Sequence, residues 1–431
     1  MTPSTRTFAL SLAFLLLGSA AARADETPMV SASASGSTVP VNLDIHAEIR
    51  HRWEIDGRAK FNEDASTTEF SLLRSRLSVG AQLPKKVSIF LEAQDARVWG
   101  EEASTTEGSS PRGDMHQGYF LAEDLFAPGV WAKVGRTELS VANERLLGAG
   151  EWSNTGRAFD AIVLGYKRPS YSVQFFESKL SEGVGNTSRG KDYDFFGVFA
   201  DVKAAPTHDV TAFLFYDHDK DTLSTGEDLV KRLTLGVNAH GSQSSIQYEA
   251  DIAFQTGDVG ASSLSASLFG GRLGYKIAHP YEPAIWVGLD VLSGDDDATD
   301  DEDKRFNTLF ATNHKFYGAM DFFLDIPKDT KGAGLTDFLI KGSIKPMSWL
   351  TTSLAYHNFK ASEDLVMNAG TSAEETLSSF GNEIDLNAKI DCTENVAVQS
   401  GFGFFSPGEI FEATRGDGSA YWGYLQTSVS Y

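Results

Sequence analysis

The chain has a single cysteine, Cys392, so no disulfide can form within it. After the N-terminal region it also lacks a run of roughly 18 apolar residues, which excludes membrane-spanning helices. Basic residues are scarce, with 37 Lys and Arg against 59 Asp and Glu and a net charge of −22. Nucleic acid is therefore excluded as a partner, because phosphate binding needs a basic surface. Backbone pairing and burial must hold the fold together.

The N-terminus is typical of a secretory signal peptide. Arg6 precedes an apolar run from Phe8 to Leu17, and small residues end in Ala22-Arg23-Ala24. This pattern predicts that residues 1–24 are removed and that the mature chain starts at Asp25. Residues 25–40 are small and polar and are expected to form a flexible leader. Residues 41–431 are expected to form one folded domain.

Beyond the leader, the sequence repeats segments of alternating polarity that are separated by breaks. Short breaks alternate with long ones that are acidic or rich in Gly, Ser and Thr. This alternation is typical of an antiparallel transmembrane β-barrel with short periplasmic turns and long extracellular loops. We predict an all-β fold of about eighteen strands, over residues 42–56, 69–83, 85–98, 115–122, 129–138, 157–167, 170–180, 191–202, 207–218, 229–240, 243–256, 264–278, 281–293, 333–346, 348–360, 379–391, 394–406 and 420–431.

The last predicted strand has the clearest alternation. One face carries Leu425, Thr427, Val429 and Tyr431, and the intervening residues are polar apart from Tyr424. A terminal aromatic residue fits the aromatic girdle of an outer-membrane barrel. A soluble β-sandwich or propeller is the alternative, but the sequence has no repeat of fixed blade length. The sequence therefore predicts a protein of the outer membrane of a Gram-negative bacterium.

Two arginines lie within the second predicted strand. Leu73, Ser75 and Leu77 share one face, which leaves Arg74 and Arg76 on the other. Because charge facing lipid costs about 2–4 kcal/mol at mid-depth, both arginines are expected to face the lumen. They could form a guanidinium ladder that binds carboxylates or sulfates, or a lattice of ion pairs that braces the wall. The sequence leaves both interpretations open.

Other charges conflict with the alternation. Arg136 and Glu138 share a face with apolar Val134, and Asp95 and Arg97 share a face with Leu91. Either a β-bulge switches the faces or these charges lie at the outer rim, above the hydrocarbon.

Four stretches carry a resemblance to a known family: LRSRLSVGAQ, EAQDARVWGE, VGRTELSVANERLLGAGEWSNTGRAFD and SGDDD followed by RFNTLFATNHKFYGAMDFF. In this order they resemble the alginate export family of outer-membrane barrels. The resemblance implies an eighteen-stranded barrel whose electropositive constriction passes an anionic polysaccharide. Its arginine positions are matched by Arg74, Arg76, Arg136, Arg145 and Arg157, and their polar partners by Asp95, Glu138, Asn154 and Asp160. Arg97, beside Asp95, is a further candidate for the pathway.

The acidic loop that begins at Gly294 raises the question of a calcium site. Asp295, Asp297 and Asp301 could supply oxygen ligands, but Asp300 and Phe306 occupy the positions where an EF-hand requires Gly and Glu. A solvated acidic loop is the preferred interpretation, and no metal or other cofactor is implied. The aromatic segment Phe306–Asp321 that follows is expected to fold inward.

The sequence has no nucleophile motif and no metal-binding spacing among its nine histidines. It therefore predicts a channel rather than an enzyme. The leading hypothesis is passive passage, in the direction of export, of an anionic, alginate-like polysaccharide through an arginine-lined lumen. The expected partners are that polysaccharide, outer-membrane lipid and periplasmic export proteins. The alternatives are a porin for small anions or nutrients, and a surface interaction protein that uses its acidic loops.

Overall fold

A computed structural model describes residues 42–102, 113–182, 192–222, 228–297, 299–367 and 374–431. The predicted signal peptide and leader lie outside these residues. No helix in the described ranges is both long enough and apolar enough to cross a membrane. The described residues form eighteen long strands, numbered here in chain order: β1 Asn42–Gly57, β2 Thr68–Leu83, β3 Val87–Val98, β4 Gly113–Glu123, β5 Val130–Thr137, β6 Phe159–Lys167, β7 Tyr171–Ser181, β8 Tyr193–Ala205, β9 His208–Thr222, β10 Asp228–Gln243, β11 Ile246–Val259, β12 Ser262–Lys276, β13 Ala284–Leu292, β14 Leu335–Met347, β15 Leu350–Met367, β16 Glu375–Asp391, β17 Val396–Pro407 and β18 Ala420–Ser430.

Each long strand pairs antiparallel with its neighbours in sequence, and β1 also pairs with β18. The register of this closing pair runs from Glu48 opposite Ser430 to Gly57 opposite Tyr421. The sheet therefore forms a closed barrel without an edge. A two-residue strand, Glu302–Asp303, adds parallel to β12. The prediction of an eighteen-stranded antiparallel barrel is confirmed.

The remaining regular structure is short. Helical turns occur at Arg58–Phe61, Pro84–Lys86 and Asn313–Lys315, and two short helices are α1, Ile326–Asp329, and α2, Glu409–Thr414. One connection departs from the predicted pattern of turns and loops. On the side of the long loops, only Gly260 and Ala261 join β11 to β12.

Alternation along the strands produces an apolar outer face. Ile45, Ile49 and Trp53 of β1 are exposed, as are Leu425 and Val429 of β18. Apolar side chains on this face suit contact with lipid, as expected of an outer-membrane barrel. The interior is not uniformly polar, because phenylalanines from β6, β7, β8 and β9 are buried there in one hydrophobic cluster: Phe159, Phe176, Phe195 and Phe215.

Other buried aromatic side chains of the same hydrophobic cluster pack around Phe411 of α2. Phe61, Phe322, Phe405 and Phe411 meet there with ring centroids 4.8 to 5.8 Å apart. Aromatic side chains of this cluster thus fill part of the barrel interior and support the loops that enter it. Strand alternation does not predict how loops fill a barrel, so this packing could not be derived from the sequence.

Candidate functional site

Two long loops enter the barrel and join each other. They are loop 138–158, between β5 and β6, and loop 293–334, between β13 and β14. The backbone N–H of Gly148 donates to the carbonyl of Phe310 over 2.9 Å, and the N–H of Phe310 donates to the carbonyl of Leu146 over 2.9 Å. Phe306, Phe316 and Tyr317 are buried, so the aromatic segment folds inward as predicted.

Loop 138–158 meets the arginines of β2 through Glu151. Arg74 Nη2 lies 2.8 Å from Glu151 Oε2 and 2.7 Å from Glu48 Oε1. Arg76 Nη1 lies 2.9 Å from Glu151 Oε1. Both arginines face the lumen and both are paired with carboxylates. Burial opposes the ionised form of Glu151, but Arg74 and Arg76 outweigh it and lower the pKa of this carboxyl.

Strand β1 adds two lumen arginines that our sequence analysis missed. Arg50 donates to the carbonyls of Glu151 and Ser153, over 2.6 Å in each case. Arg52 donates to Glu54 Oε1 over 2.7 Å and to the carbonyl of Trp152 over 2.8 Å. The alternation of β1 could have identified them. Its apolar residues Ile45, Ile49 and Trp53 occupy odd positions, which leaves the even positions of both arginines on the opposite, inward face.

A cavity of about 380 Å³ lies where the two loops meet β1. The Trp152 indole stacks on the His314 ring with centroids 3.9 Å apart, and the Arg52 guanidinium lies 4.2 Å from the Trp152 ring. His314 is held by Asp321 at 2.7 Å. The cavity combines guanidinium groups with aromatic surface, contributed by Arg52, Arg58, Arg157, Trp152 and Trp422.

Arg145 is buried in ion pairs and does not present an accessible charge to the lumen. Its guanidinium lies 2.6 Å from Asp290 and 3.3 Å from Asp251, and only 4% of the side chain is accessible. Tyr317 adds a contact of 3.2 Å from its hydroxyl oxygen to Arg145 Nη1. A buried ion pair of this kind joins loop 138–158 to β11 and β13.

Arg157 and Asn154 also bind backbone. Arg157 donates to the carbonyl of Gly148 over 3.0 Å and to that of Phe310, which links the two loops at the edge of the cavity. Burial lowers the pKa of Arg157. Asn154 Nδ2 donates to the carbonyls of Leu73 and Arg97 over 3.4 and 3.3 Å. Both side chains hold loop 138–158 in place.

Four predicted pathway residues face outward. Arg136 pairs with Asp160 at 3.3 Å, and these residues lie opposite each other at the loop ends of β5 and β6. They share the parity of exposed Ile162. Asp95 pairs with Arg97, which also lies 3.0 Å from Glu102, on the parity of exposed Leu91. Of the two solutions that the sequence offered for Arg136, Asp95 and Arg97, the rim position is therefore the one found. The expectation from the family resemblance that these four charges belong to the pathway is corrected, because they lie on the outer face near the loop rim.

Glu138 behaves differently from Arg136, although the sequence placed both on one face. It follows the end of β5 and turns inward, where Oε1 lies 2.9 Å from Nε2 of buried His116. A register shift after Glu92 leaves His116 without a partner on β3. The bulge predicted as one solution therefore exists, but in β4.

The acidic loop is held by hydrogen bonds and ion pairs among its own residues. Asp297 accepts bonds from the backbone N–H and the hydroxyl of Thr299, and Asp296 pairs with Lys304 at 2.6 Å. In the part of the chain that the structure describes, Asp295, Asp297 and Asp301 do not come together with a geometry that would hold a metal ion. Burial raises the pKa of Asp295.

Fold and interior define an outer-membrane β-barrel channel whose interior is partly filled by two inward-folded loops. The chain belongs to the alginate export family, whose profile, described as "Alginate export", matches residues 41–424. The predicted family and outer-membrane location are thereby confirmed. No curated protein matches the chain.

Several solved structures of outer-membrane proteins have the same fold. OccAB4 of Acinetobacter baumannii has a TM-score of 0.60 at 9% identity, over 90% of this chain and 98% of that one. OccK8 (OprE) of Pseudomonas aeruginosa has a TM-score of 0.59 at 11% identity, over 90% and 98%. OccK11 (OpdR) of Pseudomonas aeruginosa has a TM-score of 0.58 at 12% identity, over 90% and 95%. At this identity the likeness concerns the fold alone.

Proposed function

We propose that this channel passes an anionic, alginate-like polysaccharide outward across the outer membrane, by passive conduction and without catalysis. The observation that supports it is the cavity of about 380 Å³ between the two lumen loops and β1. Its guanidinium groups suit carboxylates, which arginine binds through paired donors. Its indole rings offer flat apolar surface to the faces of sugar rings.

The balance of charge in the constriction suits transient binding. Arg50, Arg52, Arg74 and Arg76 all have oxygen partners on neighbouring residues, chiefly Glu48, Glu54 and Glu151. A passing carboxylate exchanges with these internal partners instead of meeting bare charges. Conduction requires binding sites that are weak enough to release the solute. Outer-membrane lipid and periplasmic export proteins are the remaining partners that we propose.

The experiment is current block in planar bilayers by oligouronates of graded length, compared with neutral oligosaccharides of the same length. Arg58 is the variant of choice, because 28% of its side chain is accessible and it lines the cavity. A charge-assisted hydrogen bond contributes about 1.5–3 kcal/mol, so Arg58→Gln should weaken block on the order of tenfold. Arg168→Gln makes the same charge change in the short turn between β6 and β7, where Arg168 contacts Tyr166. This control variant should leave block unchanged.

A second candidate is a porin for small anions. It is favoured by the backbone hydrogen bonds of Phe310 with Gly148 and Leu146, which tie the two loops together inside the barrel. The same experiment separates the candidates. Block that strengthens with oligouronate length supports the polysaccharide, whereas passage of monomeric uronate without block by longer oligomers supports the small-anion porin. Equal block by neutral and acidic oligomers would contradict both.

A further inference from the structure

Three potential metal ligands meet on the lumen side of β3 and β4. They are Glu92 of β3, His116 of β4 and Glu138, the first residue after β5. One ligand atom from each lies within 4.8 Å of the other two. The accessible fraction is 5% for the His116 side chain, 13% for Glu92 and 28% for Glu138. These residues come from three segments, so the barrel rather than a local motif assembles them.

Gln117 links the carboxylate of Glu92 to the backbone of Glu138. Its Nε2 donates to Glu92 Oε1 over 3.4 Å, and its Oε1 accepts from the backbone N–H of Glu138 over 3.1 Å. The bulge in β4 allows His116 and Gln117 to contribute side chains to the same cluster, although they are consecutive in sequence. A polar neighbour that orients ligands in this way is common around metal sites.

The imidazole of His116 has incompatible neighbours. Nε2 lies 3.0 Å from Arg76 Nη2, which can only donate, and 2.9 Å from Glu138 Oε1, which accepts when ionised. If Nε2 carries a proton, two donors face each other at the guanidinium. If Nε2 carries no proton, two acceptors face each other at the carboxylate. A metal ion removes this conflict, because the imidazole lone pair and the carboxylate then both point at one cation.

We propose that Glu92, His116 and Glu138 form a binding site for a divalent transition-metal ion, best represented by Zn²⁺. Two carboxylates and one imidazole are a ligand set that zinc accepts, and the imidazole selects against Mg²⁺ and Ca²⁺. With bonds of about 2.0–2.2 Å, tetrahedral ligands lie roughly 3.4 Å apart, so small side-chain movements close the site.

Arg76 is the competitor for this site. Its Nη1 lies 3.6 Å from Glu138 and its Nε lies 3.9 Å from Glu92, so the guanidinium now supplies their positive charge. It keeps two other partners when displaced, Gln94 Oε1 at 2.7 Å and Glu151 Oε1 at 2.9 Å. Metal binding therefore leaves no unpaired buried arginine. The proposal does not depend on which solute the channel passes.

The test is titration of the full barrel in detergent with Zn²⁺ by calorimetry, and with Co²⁺ by its visible absorption. The parent should bind one Zn²⁺ far more tightly than Mg²⁺ or Ca²⁺. His116→Gln and Glu138→Gln should each weaken binding on the order of 100-fold and abolish the Co²⁺ spectrum of the imidazole site. His240→Gln is the matched control, since His240 lies 3.8 Å from Asp209 without a third ligand, and it should bind like the parent.

Arg76→Gln supplies a result of opposite sign. Removal of the competing guanidinium should tighten Zn²⁺ binding on the order of tenfold, which a loss of structure cannot imitate. Heat-modifiable gel mobility verifies that each variant is folded. The proposal is overturned if the folded parent binds Zn²⁺ no better than Ca²⁺, if binding survives His116→Gln, or if Arg76→Gln weakens it. If His116→Gln does not fold, Glu92→Gln takes its place with the same expected loss.

Discussion

Glu151 is the residue through which loop 138–158 meets the lumen arginines. Its carboxylate lies 2.8 Å from Arg74 and 2.9 Å from Arg76, and its carbonyl accepts from Arg50. The positive charge of β1 and β2 is thus partly neutralised by an acid on a loop. The anion preference that we propose would therefore depend on this carboxylate as well as on the arginines.

The first prediction concerns a substitution of Glu151. Glu151→Gln removes one negative charge beside Arg74 and Arg76, and low-dielectric walls focus the remaining field into the lumen. The reversal potential across a salt gradient should shift toward stronger anion preference. Asp160→Asn removes the same charge on the outer face and should leave the reversal potential unchanged. Equal shifts in both variants would contradict a local role for Glu151.

A second prediction concerns pH. The pKa of Glu151 is lowered, because its arginine neighbours outweigh its burial. Its contribution to holding the loop is therefore complete above the ordinary carboxyl pKa of about 4.3 and is lost as the pH falls through the lowered value. Single-channel recordings of the parent should become noisier below about pH 4. Glu151→Gln should be noisy at neutral pH as well, and noise that depends on pH equally in both would refute the assignment.

The two inward loops are the elements that shape the lumen. Loop 138–158 is joined to β11 and β13 by Arg145, and loop 293–334 is joined to β16 by its tip. At that tip the N–H groups of Ala319 and Met320 donate to Asp385 and Glu383, over 3.3 and 2.9 Å. Buried polar contacts of this kind thus help to anchor both loops to the barrel wall.

A third prediction concerns the buried ion pairs of Arg145. Arg145→Leu leaves Asp251 and Asp290 buried without their main counter-charge, and breaking such a pair costs about 3–5 kcal/mol. The urea midpoint of the detergent-solubilised barrel should fall accordingly. Arg136→Leu breaks an accessible ion pair, which contributes about 0–1 kcal/mol, and should change the midpoint little. Similar midpoints for the two variants would show that Arg145 is not a brace.

A fourth prediction concerns the tip of loop 293–334. Gly318 has φ of +83°, and a Cβ there would lie 2.5 Å from Glu383 Oε1. Gly318→Ala should lift the tip from β16 and raise single-channel conductance, because the loop then fills less of the lumen. Gly100→Ala has a similar φ of +75° but no heavy atom within 4 Å of the added Cβ, so its conductance should match the parent. Unchanged conductance in Gly318→Ala would mean that the tip does not limit the current.

Strand alternation predicted the wall of the barrel but not its contents. Arg74 and Arg76 face inward because a period of two allows no other arrangement opposite lipid-facing Leu77. The partners of Arg145 were not predictable, since Asp251 and Asp290 are distant in sequence and come close only when the barrel closes. Motif resemblance assigned Arg136 and Asp160 to the pathway, but it does not report which side of a strand faces lipid. Strand parity had grouped Arg136 with apolar Val134, and the structure agrees with parity. The pathway roles of the inward residues stay predictions.

For the whole molecule, the sequence predicts export followed by processing. Residues 1–24 should be removed, so the intact mass of protein from outer membranes should correspond to a chain that starts at Asp25. Ala22→Arg and Ala24→Arg together replace the small residues of the cleavage site and should leave the precursor mass. A parent whose mass includes residues 1–24 would refute the signal peptide.

The pairing of β1 with β18 sets the order of events during biogenesis. The residues that complete the cylinder, such as Glu48 and Ser430, come from the first and last strands of the barrel, so the sheet cannot close before β18 is present. Until then the chain has two unpaired strand edges, which favour aggregation. Contacts between residues so far apart in sequence also form slowly during folding. A chain that lacks β18 should therefore keep open strand edges and should not form a smaller closed channel.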